Sequence, residues 1–139
     1  MKIAESLSKI GVGKEIGSRR VVVAEDNDDI RVSIRELIEG LGVDVDEASS
    51  GGDLILLLTD DKPVDLLITD VRMPWMTGIQ VSLAARNAGQ NMPIIVVTAF
   101  GDDHLREQVE HLGSAKLLAK PFRPEELLAL ARSLLWDSK

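Results

Sequence analysis

Four short apolar runs in this chain each end in a side chain that can do chemistry. Glu25 and Asp26 follow Val21–Ala24, Asp70 follows Leu66–Thr69, Thr98 follows Ile94–Val97, and Lys120 follows Leu117–Ala119. Each alone has an ordinary explanation as a helix cap, a strand terminator or a solvated charge. Their coincidence at equivalent places is harder to set aside. Carboxylates brought close together repel, and a bound cation relieves the repulsion. An all-oxygen donor set with space for water suits Mg²⁺ or Mn²⁺. A soft metal would want the thiolates of cysteine, of which the chain has 0. A divalent cation beside a carboxylate nucleophile, a lysine and a hydroxyl is a set suited to phosphoryl transfer, where catalysis is mostly positioning and charge neutralisation.

Whether these groups meet depends on the elements that carry them. The Val-, Ile- and Leu-rich runs are near-continuous, as strands are when a parallel sheet is covered on both faces. A weaker run, Val43 to Ala48, alternates with acids. Between the runs lie helical periodicities: Ile30, Ile34, Leu37, Ile38 and Leu41, then Leu54, Leu57 and Leu58, then Leu105, Val109 and Leu112, and last Leu127, Leu130, Leu134 and Leu135. Asp53 falls in a first helical turn, Thr77 can cap a helix, and Pro124-Glu125-Glu126 makes a good first turn. Gly40, Gly89 and Gly113 fall at helix ends, where positive φ is often needed. Strands alternating with helices predict an α/β fold, a three-layer doubly wound five-stranded parallel sheet with right-handed crossovers. Ligands bind such sheets beyond the carboxyl ends of the strands, which is where the chemical groups fall.

Length and composition set the outer limits. With 139 residues, 45% hydrophobic and 28% charged, the chain can bury one core but not two. A formal charge of −7 argues against direct nucleic-acid binding, which depends on neutralising phosphates. No apolar run is long enough to span a membrane, and no continuous apolar block near Met1 resembles a secretory signal, so a cytoplasmic location is expected. Residues 1–19 read as a flexible N-terminal arm ahead of one domain at 20–139. The glycines Gly11, Gly13 and Gly17 match neither the dinucleotide nor the P-loop spacing, and no strand precedes them.

Taken together, Val21-Val22-Val23-Ala24-Glu25-Asp26-Asn27, then Leu67-Ile68-Thr69-Asp70-Val71-Arg72-Met73-Pro74 with Gly78, then Val97-Thr98-Ala99 and Lys120-Pro121-Phe122 resemble a response-regulator receiver domain over roughly residues 20 to 136. The resemblance implies a flavodoxin-like strand order 2-1-3-4-5 and a phosphoacceptor switch of a two-component system. Asp70 would take a phosphoryl group from a phosphohistidine. Glu25, Asp26, Asp70 and the backbone carbonyl of Arg72 would hold Mg²⁺ (or Mn²⁺). Lys120 would contact the acyl phosphate, Thr98 would hydrogen-bond a phosphoryl oxygen, and the bond before Pro121 would be cis. Implied partners are a sensor histidine kinase or phosphotransfer protein, an output protein of unspecified identity and, as an option, a second copy of the chain. The signal would leave through the face made by the fourth helix, fifth strand and fifth helix, from a stand-alone switch or a receiver excised from a longer protein. Such a protein catalyses its own phosphorylation and dephosphorylation without being a turnover enzyme.

Several residues depart from that pattern or stand outside it. Receiver domains commonly carry an aromatic three positions before the lysine, where this chain has Leu117, so the output face is expected to signal by backbone movement. Arg72 and Phe100 flank the phosphate approach and are expected to control water access and hence dephosphorylation. Trp75 reads as a partly buried loop aromatic, with a partner contact as the alternative, His104 and His111 as surface histidines, Trp136 as core or a partner-facing edge, and Arg19-Arg20 as a solubilising pair. Two other readings compete. An aspartate-nucleophile phosphatase of the haloacid-dehalogenase kind would use D-x-D-x-[TV]; Asp26-Asn27-Asp28-Asp29-Ile30 has both aspartates but ends in Ile. A receiver-like adaptor would bind partners without phosphorylation, and Leu117 is the feature that favours it.

Overall fold

The structure, a computed structural model, describes residues 19–99 and 103–137. Most of the expected N-terminal arm, and Phe100, lie outside the described residues. The described chain alternates strand and helix throughout: β1 Arg20–Ala24, α1 Asp28–Glu39, β2 Asp44–Ala48, α2 Gly51–Thr59, β3 Leu66–Asp70, α3 Gly78–Asn87, β4 Ile94–Thr98, α4 Asp103–Leu112, β5 Ala115–Ala119 and α5 Pro124–Arg132. The strands form one parallel sheet in the order β2-β1-β3-β4-β5. Both the α/β class and the strand order are as the sequence predicts.

Alternation along each strand divides the core in two, because successive side chains point to opposite faces. Val22, Ala24, Leu67, Ile94 and Val96 face one layer with Leu54, Ile79, Val81, Leu105 and Val109, which belong to α2, α3 and α4. Val21, Val23, Leu66, Ile68, Ile95 and Val97 face the other with Ile34, Ile38, Leu127 and Ala131 of α1 and α5. The helices start where short polar side chains can satisfy their first N–H groups. The Asn27 side chain accepts from the Ile30 N–H and Ser50 from that of Asp53. Thr77 and Gln80 form a reciprocal capping box, and Glu126 accepts from the Arg123 N–H.

Four expectations are revised. Gly40 is right-handed at φ −61°, and the positive φ that ends this turn falls on Gly42 at +87°. Gly40 remains within the helical hydrogen bonding, donating to Glu36, so the chain reverses two residues later. The last helical pattern does not stay α-helical: Ser133–Asp137 widen into a π-helical turn that still buries Leu135. Trp75 is 91% exposed at φ +78°, since the loop turns its neighbours Met73 and Met76 toward the core and swings Trp75 out.

Arg19 and Arg20 are structural and do more than solubilise. Arg20 is only 8% exposed. Its Nε donates to Asp46 at 2.8 Å, and its two terminal nitrogens form a fork on Asp60 at 2.9 and 2.9 Å. A further bond reaches the Lys62 carbonyl at 2.7 Å, and the Arg20 backbone N–H donates to Asp65 at 2.8 Å. One guanidinium thus ties β1 to β2 and to the α2–β3 loop, at the sheet end away from the acidic groups. Arg19 donates to the Leu135 carbonyl at 3.0 Å and stacks 5.4 Å from the Trp136 ring centre, which fixes the π-helical turn to the start of β1.

The Arg20 hydrogen bonds hold the Asp60 carboxyl below the usual carboxylate range. A carboxyl with a depressed folded pKa stabilises the fold above its unfolded value of about 3.9, and that contribution disappears as pH falls through the folded value. Arg20→Met is expected to cost about 2 kcal/mol at neutral pH, read as a lower urea midpoint. The gap from wild type should narrow below about pH 4. A gap of the same size at low pH would contradict the ion-pair account.

Candidate functional site

The strand registers bring the chemical groups together. Ala24 pairs with Ala48 on one side and Thr69 on the other, Asp70 pairs with Val97, and Thr98 pairs with Ala119. The residues one step beyond or at these ends therefore share one rim.

Glu25 continues β1 by one residue, its N–H donating to the Ala48 carbonyl at 3.0 Å, and it is 2% exposed. Both carboxylate oxygens are engaged. Oε2 accepts from the Asn27 N–H at 3.1 Å and Oε1 from Lys120 Nζ at 3.0 Å. Asp70, at the end of β3, accepts from the same ammonium at 3.4 Å. Asp26 is exposed, and Glu25, Asp26 and Asp70 each offer an oxygen within 4.8 Å of the others. Thr98 closes β4 at 5% exposure, and its carbonyl accepts from the Lys120 N–H at 2.7 Å, which seats the lysine at the rim. The Lys120-Pro121 bond is cis, as the resemblance implied, and Phe122 packs against the core face of Val23 and Val97.

Burial pushes the Glu25 carboxyl above the usual carboxylate range, against the opposing pull of the Asn27 N–H and Lys120. Burial works against the charged form of Lys120 too. There the hydrogen bond to Glu25 and the charges of Asp70 and Glu25 outweigh it, and the ammonium is held above its ordinary value. One cation thus serves two carboxylates, and a third lies beside them without a share of it in the contacts described. The net local charge is negative, which favours a further cation.

The loop after Asp70 is fixed by a close approach. The Gly78 N–H donates to the Val71 carbonyl at 2.9 Å, and Val71 donates to Val97 at 3.3 Å. A Cβ on Gly78 would meet the Asp70 carbonyl and lie 2.5 Å from Thr69 Oγ1, so only glycine lets α3 begin this near the phosphoacceptor candidate. Arg72 lies in this loop with its side chain exposed. Leu117 is half-buried against the core face of Leu67 and Val96. His104 and His111 are exposed, as expected, and Trp136 is a partly exposed edge residue beneath Arg19. The sequence pattern did not reveal Arg31 of α1. It donates to the Glu25 carbonyl at 2.9 Å, and its spacing within the helix resembles that of any solvated arginine.

A five-stranded doubly wound parallel sheet with three carboxylates and a lysine at its carboxyl rim defines an α/β class, and comparisons narrow it. The response regulator receiver domain family matches residues 21–132. Response regulator MprA of Mycobacterium bovis is 37% identical over 124 residues, 88% of this chain and 53% of that protein. MprA of Mycobacterium avium is 37% identical over 122 residues, 86% and 52%. The chain spans about half the length of these curated relatives. Among solved structures, chemotaxis protein CheY4 of Vibrio cholerae superposes with TM-score 0.78 at 27% identity, covering 86% of this chain and 100% of that one. A Francisella response-regulator receiver domain gives 0.79 at 27%, covering 87% and 99%. The chain belongs to the response-regulator receiver domain family.

Gly78→Ala is expected to destabilise the fold by about 2–3 kcal/mol through overpacking against Asp70 and Thr69, measured by urea unfolding. Gly89→Ala, where φ is +88° but nothing lies within 4 Å, should cost only the backbone strain of about 1 kcal/mol. Equal losses at the two sites would contradict the packing account.

Proposed function

We propose that Asp70 is the phosphoacceptor of a two-component switch, taking a phosphoryl group from a histidine kinase or phosphotransfer protein. The observation that carries this reading is Lys120 Nζ reaching both Asp70 (3.4 Å) and Glu25 (3.0 Å), with Asp26 completing the oxygen cluster. The donor set is all oxygen, which fits Mg²⁺ or Mn²⁺ and no soft metal. Glu25, Asp26, Asp70 and the Arg72 backbone carbonyl would hold the ion. Bound there, it supplies positive charge that offsets the phosphoryl oxygens.

The rest falls to the chain's own groups. An Asp70 oxygen forms the new bond to phosphorus while the phosphorus–nitrogen bond of the donor breaks. The electron pair goes to the leaving ring nitrogen, and a proton already on the ring or taken from water leaves the imidazole neutral. Lys120 masks the negative charge that would otherwise turn the donor away. The group gained carries about two negative charges and three strong acceptors. Thr98, buried at the end of β4, would donate its hydroxyl to one of them. Inward movement of Thr98 would carry the β4–α4 connection with it, changing the face of α4, β5 and α5. With Leu117 where an aromatic is usual, that change is a backbone one. No helix among the described residues is long and apolar enough to cross a membrane. The phosphatase reading has less support, because Asp28 of its motif is paired with Arg31 at 2.7 Å and is not one of the three clustered carboxylates.

Incubation with Mg²⁺ and a small acyl phosphate should add one phosphoryl group by intact mass. Asp70→Asn and a chelator should each abolish the addition. Lys120→Ala should slow it about 100-fold, the order of loss when one charge-stabilising donor is removed. Labelling of Asp70→Asn at the wild-type rate would sink the assignment, and steady turnover of phosphate monoesters would favour the phosphatase.

A further inference from the structure

The segment Glu25–Asp28 carries two of the three clustered carboxylates, and a residue outside the proposed chemistry holds it in place. Arg31 lies on the first turns of α1 with its side chain 14% exposed. Nη1 donates to the Glu25 carbonyl at 2.9 Å, Nη2 to Asp28 Oδ1 at 2.7 Å and Nε to Glu47 Oε1 at 2.9 Å. The other Glu47 oxygen accepts from Arg35 at 2.8 Å. Glu47, on the edge strand β2, is thus gripped from two sides and in turn fixes the Arg31 fork.

The bond to the Glu25 carbonyl matters most. That carbonyl belongs to the peptide joining Glu25 to Asp26, and a peptide is rigidly planar. Fixing its oxygen limits the direction in which both Cα–Cβ bonds leave, and so the separation of the two carboxylates.

We infer that Arg31 is a positioning residue for the divalent-cation site, holding the Glu25–Asp26 peptide so that the carboxylates converge; this rests on the metal-dependent reading above. Outer partners of this kind commonly change metal affinity 10–100-fold. A rival effect has the opposite sign. A guanidinium near a cation site repels the cation, so by Coulomb's law alone its removal would tighten binding.

The test is Mg²⁺ affinity of the full chain by calorimetry, together with the Mg²⁺ concentration for half-maximal labelling by a small acyl phosphate. Arg31→Ala and Arg31→Lys should both weaken Mg²⁺ about tenfold, because lysine keeps the charge but cannot reproduce the three-way fork. Half-maximal labelling should shift by the same factor, while the rate at saturating Mg²⁺ stays near wild type. Glu47→Gln leaves Arg31 in place but loosens its anchor; it should weaken Mg²⁺ less, in the same direction, and it guards against a folding defect in the Arg31 variants. The inference is overturned if Arg31→Ala binds Mg²⁺ as tightly as wild type or more so. It is also overturned if Arg31→Lys matches wild type, or if the variants lose rate at saturation with no shift in half-saturation. A wild-type chain that takes up no Mg²⁺ overturns the metal reading itself, a result separable from failure of the variants alone.

Discussion

Everything at the functional rim depends on one electrostatic constraint: three carboxylates are gathered together, and a single ammonium is bonded to two of them. Glu25 is nearly sealed from water and Asp70 is half-buried, and both lean on Lys120. Carboxylates held that close lower their repulsion by gaining positive charge or by taking up protons. The fold enforces the crowding, because the parallel registers end β1, β3 and β4 at one level and the Lys120 N–H is bonded to the Thr98 carbonyl. Under the proposed function, a site of this kind would receive cationic charge and, through it, an anionic group.

The two ends of the sheet solve different problems. At the amino end, the Arg20 guanidinium is bonded to both Asp46 and Asp60, so each of these carboxylates has a hydrogen-bonded cationic partner. At the carboxyl end the lysine is shared and a third acid is left beside it. A cavity of about 920 Å³ lies at the amino end, lined in part by Arg19, Lys62 and Asp65. Cavity size therefore does not mark the chemistry here. Charge imbalance does.

Legibility in the sequence followed the range of the interactions. The strands and Asp70, Thr98, Glu25, Asp26 and Lys120 could be read because each strand is a contiguous apolar run and each group sits at its end. Gly78 belonged to a recognisable motif, though only the structure shows that its missing Cβ makes room for the Asp70 carbonyl. Arg20 and Arg31 could not be read, because their partners Asp46, Asp60 and Glu47 are brought near by β-pairing and crossovers and leave no local spacing. Trp75 was misjudged for another reason: a bulky residue at positive φ is uncommon, and the aromatic type alone suggested burial. The shift of the reversal from Gly40 to Gly42 shows the same limit, since two glycines so close in sequence do not reveal which one turns.

The central claim is that the rim gathers Asp26 and Asp70 into one hard-cation site. It is tested most directly by crystals of the chain grown with Mn²⁺ and measured for anomalous scattering. The account predicts one strong peak in bonding contact with carboxylate oxygens of Asp26 and Asp70, with Lys120 Nζ beside it and not coordinated. A strong peak elsewhere on the molecule, or an ordered rim with no peak at saturating Mn²⁺, would contradict it.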